Sequence, residues 1–300
     1  MTIPIFPEFA PIALEHKQEI DQAFKNLAPS ASEMTFTNQF MWRYCYNISV
    51  SRLQGFLLFL AEPSEQEPFF YPPWGPGDTA GAVKQCLGYL EDRGGGHLER
   101  VSRDFVEKRL QNVPGLEIAP DPANDDYVYS SRDLGLLRGR RFANKRNALK
   151  QFEGQYSFEY RPIDKEGIRH CLELQDFWCI ERNCKEYPGL RQEERAIKEA
   201  FNNFEDLGIT GGTIMINGRV EAFAVGERLN ENTFVVHLEK ANPRIKQLYA
   251  VINREFSRHE GVNYTYINRE QDLGEEGLNQ AKRSYNPVFM VNKFRVKLKK

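Results

Sequence analysis

The sequence predicts a mixed α/β protein in two units, and three observations carry that expectation. β-branched and aromatic runs alternate with amphipathic segments along the whole chain. Pro-Asp-Pro-Ala-Asn-Asp at 120–125 interrupts the alternation with turn formers. Beyond it come helical stripes, three strands, a helix, a strand and a final helix. A length of 300 residues suits two domains of ordinary size, with an expected division into 1–122 and 123–300.

In the first unit the pattern predicts a helix over 13–26 and strands near 46–50, 55–61 and 68–71. A helix over 79–92, a strand over 97–101 and a short helix over 102–110 follow. In the second, Phe142, Leu149 and Phe152 define the inward face of a basic helix over 139–152. Helices over 166–182 and 192–204 carry Cys171, Leu174 and Trp178, then Ile197, Phe201 and Phe204, at helical spacing. These stripes read as core. Asn217-Gly218 between 213–216 and 220–226 is a strong hairpin signal. A third strand over 233–239 follows. Asn242 and Pro243 announce a helix carrying Ile245, Leu248, Tyr249, Ile252 and Phe256. The next strand is 262–268, and Asp272 with Glu275 reads as a capping box for the last helix.

Composition narrows the function. Hydrophobic residues at 41% and aromatics at 12% supply a core and exclude a disordered chain. Forty basic against forty-two acidic residues leave a net charge of −2, so no overall basicity marks a nucleic-acid partner. Locally the balance differs. Arg132, Arg138, Arg140, Arg141, Lys145, Arg146 and Lys150 face only Asp133, and the tail adds Lys293, Arg295, Lys297, Lys299 and Lys300. Five cysteines without a Cys-x-x-Cys pair predict reduced thiols in a cytoplasmic setting, with Cys179 and Cys184 as packing thiols. No signal-like amino terminus is seen, and the longest apolar run, 55–61, is too short to cross a bilayer. No His-Glu-x-x-His, Walker loop or nucleophile elbow is present, so no metal site is expected.

The densest chemistry lies after Ile267, where Asn268, Arg269, Glu270, Gln271 and Asp272 follow a strand end. The strands at 233–239 and 262–268 are joined by a helix, so they should run parallel. Their carboxyl ends would then bring Glu239, Lys240 and Asn242 to Asn268, Arg269 and Glu270, beside helix amino termini suited to an anion or a developing oxyanion.

The stretches Asp-Tyr-Val-Tyr (126–129), Gly-Arg-Arg-Phe-Ala-Asn-Lys-Arg-Asn-Ala-Leu (139–149), Phe-Asn-Asn-Phe-Glu (201–205), His-Leu-Glu-Lys-Ala-Asn (237–242) and Asn-Arg-Glu-Gln-Asp-Leu-Gly-Glu-Glu-Gly-Leu (268–278) resemble a known group. It comprises bacterial proteins related to the carboxy-terminal domain of phosphatidylglycerol lysyltransferase. These belong with the Fem-type aminoacyl transferases, and the likeness covers about residues 125–300. It implies two tandem GNAT-like domains with the active site in the second, and acyl or aminoacyl transfer to an amine or hydroxyl. No cofactor would be permanently bound; acyl-CoA or aminoacyl-tRNA would be the donor. Partners would be tRNA and a small-molecule, peptide or lipid acceptor. One departure stands out: GNAT enzymes carry a glycine-rich pyrophosphate turn where this chain reads Ala-Asn-Pro-Arg-Ile-Lys-Gln-Leu-Tyr (241–249).

Acyl transfer needs a base, an oxyanion stabiliser and an acid. Glu270, Glu239 and His237 are the candidate bases, and the resemblance places Tyr285 as acid. Asn268, Arg269, Lys240 and Asn242 would bind substrate. Lys145 or Arg146 would line an anion pocket, with Arg244 and Lys246 assisting a phosphate. Arg140, Arg141 and the lysine-rich tail would steer tRNA or an anionic membrane surface. The rivals are an acyl-CoA-dependent N-acyltransferase and a non-catalytic GNAT-like module that binds tRNA or another anion.

Overall fold

The computed structural model describes Thr2–Lys299; Lys300 of the basic tail lies outside the described residues. Two compact units result. One takes the chain through Asp126, together with 271–276 and the segment from Met290 onward. The other is Tyr127–Glu270 with Gly277–Phe289. Each is built on a seven-stranded sheet.

In the first unit the sheet runs Ala10–Pro11, Ile48–Leu53, Phe56–Ala61, Phe69–Phe70, His97–Ser102, Lys293–Leu298 and Leu116–Pro120. The expected strand at 46–50 begins two residues later, because a short helix continues through Tyr46. Leu58, Leu60, Phe70, Val83, Leu87, Leu98 and Val296 form its core. Val296 marks a difference from the expected division. The carboxy-terminal strand Lys293–Leu298, assigned by sequence to the second unit, pairs antiparallel with both His97–Ser102 and Leu116–Pro120. A long-range strand pairing leaves no local signal, which is why the sequence misplaces it.

The tail is therefore not a free basic arm. Lys293 Nζ is fully buried, 2.6 Å from Glu33 Oε1 and 2.6 Å from Asp126 Oδ1. Burial works against the ammonium, but these two carboxylates hold its pKa above the usual value. Arg295 pairs with Asp121 at 3.1 Å and Lys297 with Glu67 at 3.1 Å.

The second sheet runs Phe289–Val291, Asp126–Ser130, Tyr266–Asn268, Thr233–Ala241, Arg219–Arg228, Thr210–Ile216 and Phe158–Pro162. We name three of these strands β1 (Arg219–Arg228), β2 (Thr233–Ala241) and β3 (Tyr266–Asn268). Three helices supply side chains or support to the same region: α1 (Ala143–Glu153), α2 (Leu248–His259) and α3 (Glu276–Arg283). Asn217 and Gly218, at φ +49° and +77°, make the expected tight turn into β1. β2 lies antiparallel to β1 and parallel to β3, as the intervening helix requires. The helical stripes are core: Cys171, Leu174, Trp178, Ile197 and Phe201 are buried.

Two helix starts and one cysteine expectation are corrected. Asn242 caps a turn instead of a helix. Its Oδ1 accepts the Arg244 N–H at 2.9 Å, Gln247 takes φ +61°, and α2 begins only at Leu248. Asp272 accepts the Gly274 N–H at 2.9 Å in a similar side-chain turn, and α3 begins at Glu276. Short polar side chains mimic a backbone turn as readily as they cap a helix, so spacing alone does not separate the two. Cys179 and Cys184, expected to be thiols, form a disulfide with Cα atoms 4.9 Å apart. Asn183 at φ +50° turns the chain back so that the second cysteine meets the first.

Two outcomes test this fold. Thiol titration of the denatured, unreduced protein should count three free thiols, Cys45, Cys86 and Cys171, where the sequence holds five cysteines. Lys293→Met should strand two buried carboxylates and destabilise the protein by about 3–5 kcal/mol in urea unfolding, whereas Lys299→Met should change little.

Candidate active site

Parallel pairing of β2 with β3 lasts only from Thr233↔Tyr266 to Val235↔Asn268. β2 continues to Ala241 against β1, but the chain after Asn268 turns the other way. Asn268, fully buried, accepts the Glu270 N–H on its Oδ1 at 2.8 Å, and Glu270 adopts φ +55°. Residues 269–270 then bond to the backbone of Tyr127. The two strands thus part, and the last six residues of β2 border the opening.

A β-bulge shapes that edge. Val225 pairs with Leu238 but Gly226 pairs with Val236, so His237 is the extra residue. Gly226 permits it, since a Cβ there would sit 2.2 Å from the Val235 carbonyl oxygen.

Side chains bridge where backbone pairing stops. His237 Nδ1 lies 2.7 Å from Glu270 Oε1, and its Nε2 lies 2.9 Å from Glu227 Oε1. Burial disfavours a charged ring, yet the two carboxylates outweigh it and raise the pKa to about 10. Both ring nitrogens of His237 thus face carboxylates, which favour its imidazolium form. Next along the face, Glu239 accepts from Arg269 Nη2 at 3.0 and 3.1 Å on its two oxygens. The Asn253 amide oxygen accepts from Arg269 Nε at 3.1 Å. Burial opposes the guanidinium charge, but Glu239 keeps its pKa above the usual value.

Tyr285 closes this group. It lies just past α3, buried, with the Arg269 guanidinium 5.1 Å from its ring centre and Lys145 Nζ 3.8 Å from it. Burial pushes the phenol up to about 12, so it stays protonated. Lys145, on the first turn of α1, is half-buried. Among the described residues its ammonium has no hydrogen-bond or ion-pair partner. Burial and the nearby Arg269 lower its pKa to about 8, with Glu239 opposing.

The structure thus gathers Glu239, Arg269, Glu270, His237, Asn268, Tyr285 and Lys145. Most of the other expected residues make separate pairings. Arg146 donates to the carbonyls of Leu137 and Gly139 at 2.5 and 2.7 Å, which closes a loop. Arg244 pairs with Glu181, Asn242 donates to Glu221, and Lys246 is exposed. Lys240, buried, pairs with Glu193 at 2.7 Å above the Trp178 ring.

Four contributors escaped the sequence reading: Glu227, Asn253, Tyr129 and Lys282. Lys282 donates to the carbonyls of Arg269 and Glu270 and holds the turn, and Tyr129 donates to the Lys282 carbonyl at 2.9 Å. Asn253 carried a usable signal. It interrupts the apolar stripe of α2 beside Ile252 and Phe256, and a polar residue on a buried face needs a partner. Glu227 carried none, since any strand end holds such a residue.

Comparison with known proteins agrees with this architecture. The phosphatidylglycerol lysyltransferase, C-terminal family matches residues 24–297. A conserved protein of unknown function from Bacteroides thetaiotaomicron VPI-5482 is 34% identical, with a TM-score of 0.90 over 99% of this chain and 100% of that one. The structure of L-PGS from Bacillus licheniformis is 16% identical, with a TM-score of 0.65 over 100% and 94%. An uncharacterized protein, MYCGA3080, of Mycoplasmoides gallisepticum is 23% identical over 212 residues. The match takes in 70% of this chain and spans 65% of that relative's length. The mixed α/β fold, with its two seven-stranded sheets, is the one these solved structures share. Among the described residues no helix is long and apolar enough to cross a membrane.

The imidazolium bridge predicts a pH dependence. The His237 pKa is raised by folding, so its contribution to stability should be full below its ordinary value of 6.5 and lost as pH rises to about 10. Urea midpoints measured across that window should fall with pH, and His237→Gln should remove that part of the slope.

Proposed function

The chain belongs to the phosphatidylglycerol lysyltransferase C-terminal family, and from that premise we propose that it transfers an aminoacyl or acyl group to an amine or hydroxyl acceptor. The observation that carries the proposal is the Glu239–Arg269 pair at the parting of β2 and β3. Arg269 is a largely buried cation whose one ion pair among the described residues is with Glu239, and it lies beside a protonated phenol. Acyl transfer passes through a tetrahedral oxyanion, and a pre-placed cation in a desolvated setting stabilises that charge without reorganisation. In this proposal Arg269 faces the oxyanion and Tyr285 gives its proton to the leaving oxygen. Asn268 and Lys282 set the turn that aims Arg269. Glu239 and Glu270 hold the two cations in place.

Aminoacyl-tRNA fits as donor better than acyl-CoA. The turn at 241–249 has no glycine, and its Arg244 is tied to Glu181, which leaves a poor cradle for a pyrophosphate. Arg132, Arg138 and Arg140 are exposed without ion-pair partners among the described residues, a charge pattern that suits a polyphosphate backbone. No cofactor is bound permanently in this scheme.

Bulk aminoacyl-tRNA carrying labelled amino acids, offered with a lipid and metabolite extract, should yield labelled product that acetyl-CoA does not. Arg269→Met should lower the transfer rate by about 10²–10³. Saturating aminoacyl-tRNA should raise thermal stability by linkage, about 2.7 kcal/mol at a hundred times Kd. Stabilisation by tRNA without any transfer would identify a binding module. Stabilisation by acetyl-CoA alone would identify an acyl-CoA enzyme.

A further inference from the structure

The groups that sequence reasoning nominated as bases are already committed. His237 is bonded through both ring nitrogens to carboxylates. Glu270 takes up one side of that bridge, and both oxygens of Glu239 face the Arg269 guanidinium. Protonating Glu239 would leave a buried guanidinium without its counter-charge, which is costly. Tyr129 donates its hydroxyl to a backbone carbonyl, and Tyr285 stays protonated. One titratable side chain of the group is left without such a commitment, and it is Lys145.

We propose that Lys145 is the proton acceptor of this site. The assignment rests on the acyl-transfer reading and adds the residue that starts the reaction. Its amine takes the proton from the acceptor N–H or O–H as the bond from that atom to the acyl carbon forms. The bond from the acyl carbon to the donor oxygen breaks, and that oxygen leaves with the Tyr285 proton. The Lys145 ammonium then returns a proton to the phenolate, so no oxidant or further reactant is needed.

The surroundings weaken the hold on the ammonium proton. Lys145 Nζ rests on the Tyr285 ring face, half-buried, with Arg269 as a like charge and only the already paired Glu239 in opposition. Cations on neighbouring elements are neutralised elsewhere. On α2, Arg254 is held by Glu153 and Glu255. Arg141, one turn before Lys145, is held by Asp133, and Arg146 by two carbonyls. Among the described residues no carboxylate pairs with the Lys145 ammonium. Burial and Arg269 together bring its pKa to about 8, where a general base works well near neutral pH.

Competitive acetylation with acetic anhydride across pH, resolved by peptide mass spectrometry on the full chain, measures this directly. Lys145 should react with a midpoint near 8, well below the ordinary lysine value of 10.5. Glu239→Gln should lower the Lys145 midpoint. A midpoint at 10.5 in the unliganded protein would overturn the assignment. So would inorganic phosphate that carries the midpoint up to 10.5, since Lys145 would then be an anion ligand. In the transfer assay, Lys145→Arg keeps the charge and should cut kcat by about 10²-fold with little change in KM; full turnover in that variant would also overturn it. A wild-type protein that transfers nothing while Lys145 still titrates near 8 would reject the acyl-transfer reading and the base role, but not the lowered pKa.

Discussion

Three registered residues are all that parallel strands β2 and β3 share before they separate, and the rest of the candidate site depends on that parting. A strand edge left by its neighbour exposes backbone polar groups and side chains that must find other partners. Here two side-chain bridges cross the opening, His237 to Glu270 and Glu239 to Arg269. The bulge at His237, the closeness allowed by Gly226 and the left-handed turn at Glu270 are the backbone adjustments that let those bridges meet.

The two bridges are not electrostatically equal. His237 lies between two carboxylates, an arrangement that neutralises it more than once over and makes it a structural cation. Arg269 has one carboxylate, a neutral amide and aromatic rings. Buried ion pairs are weak evidence for stability because desolvation offsets most of their attraction. What such pairs supply is position and an uneven field. The positive excess lies on the Arg269 side, where Lys145 also sits.

Much of this was legible in the chain itself. The parallel placement of β2 and β3 followed from the intervening helix, and the polar run 268–270 follows a strand end as expected. The helical stripes through Trp178 and Phe201 are core. Errors cluster where a short polar side chain has two uses. Asn242 and Asp272 serve turns instead of helix caps, because the same side-chain oxygen satisfies either backbone geometry. Cysteine spacing likewise failed at Cys179 and Cys184, whose meeting depends on one left-handed residue between them.

By itself the sequence determined the α/β class, the hairpin into β1 and the residues that reach the end of β3, since these depend on local periodicity and turn chemistry. Only the tertiary structure decided which carboxylate neutralises which cation. Partner choice is a matter of a few ångströms between residues such as His237 and Glu227, or Glu239 and Arg269. It also decided where the carboxy-terminal strand pairs, with Lys293 between Glu33 and Asp126. Those distances turn a list of acids and bases into paired ions at some positions and, at Lys145, a cation with no ion pair among the described residues.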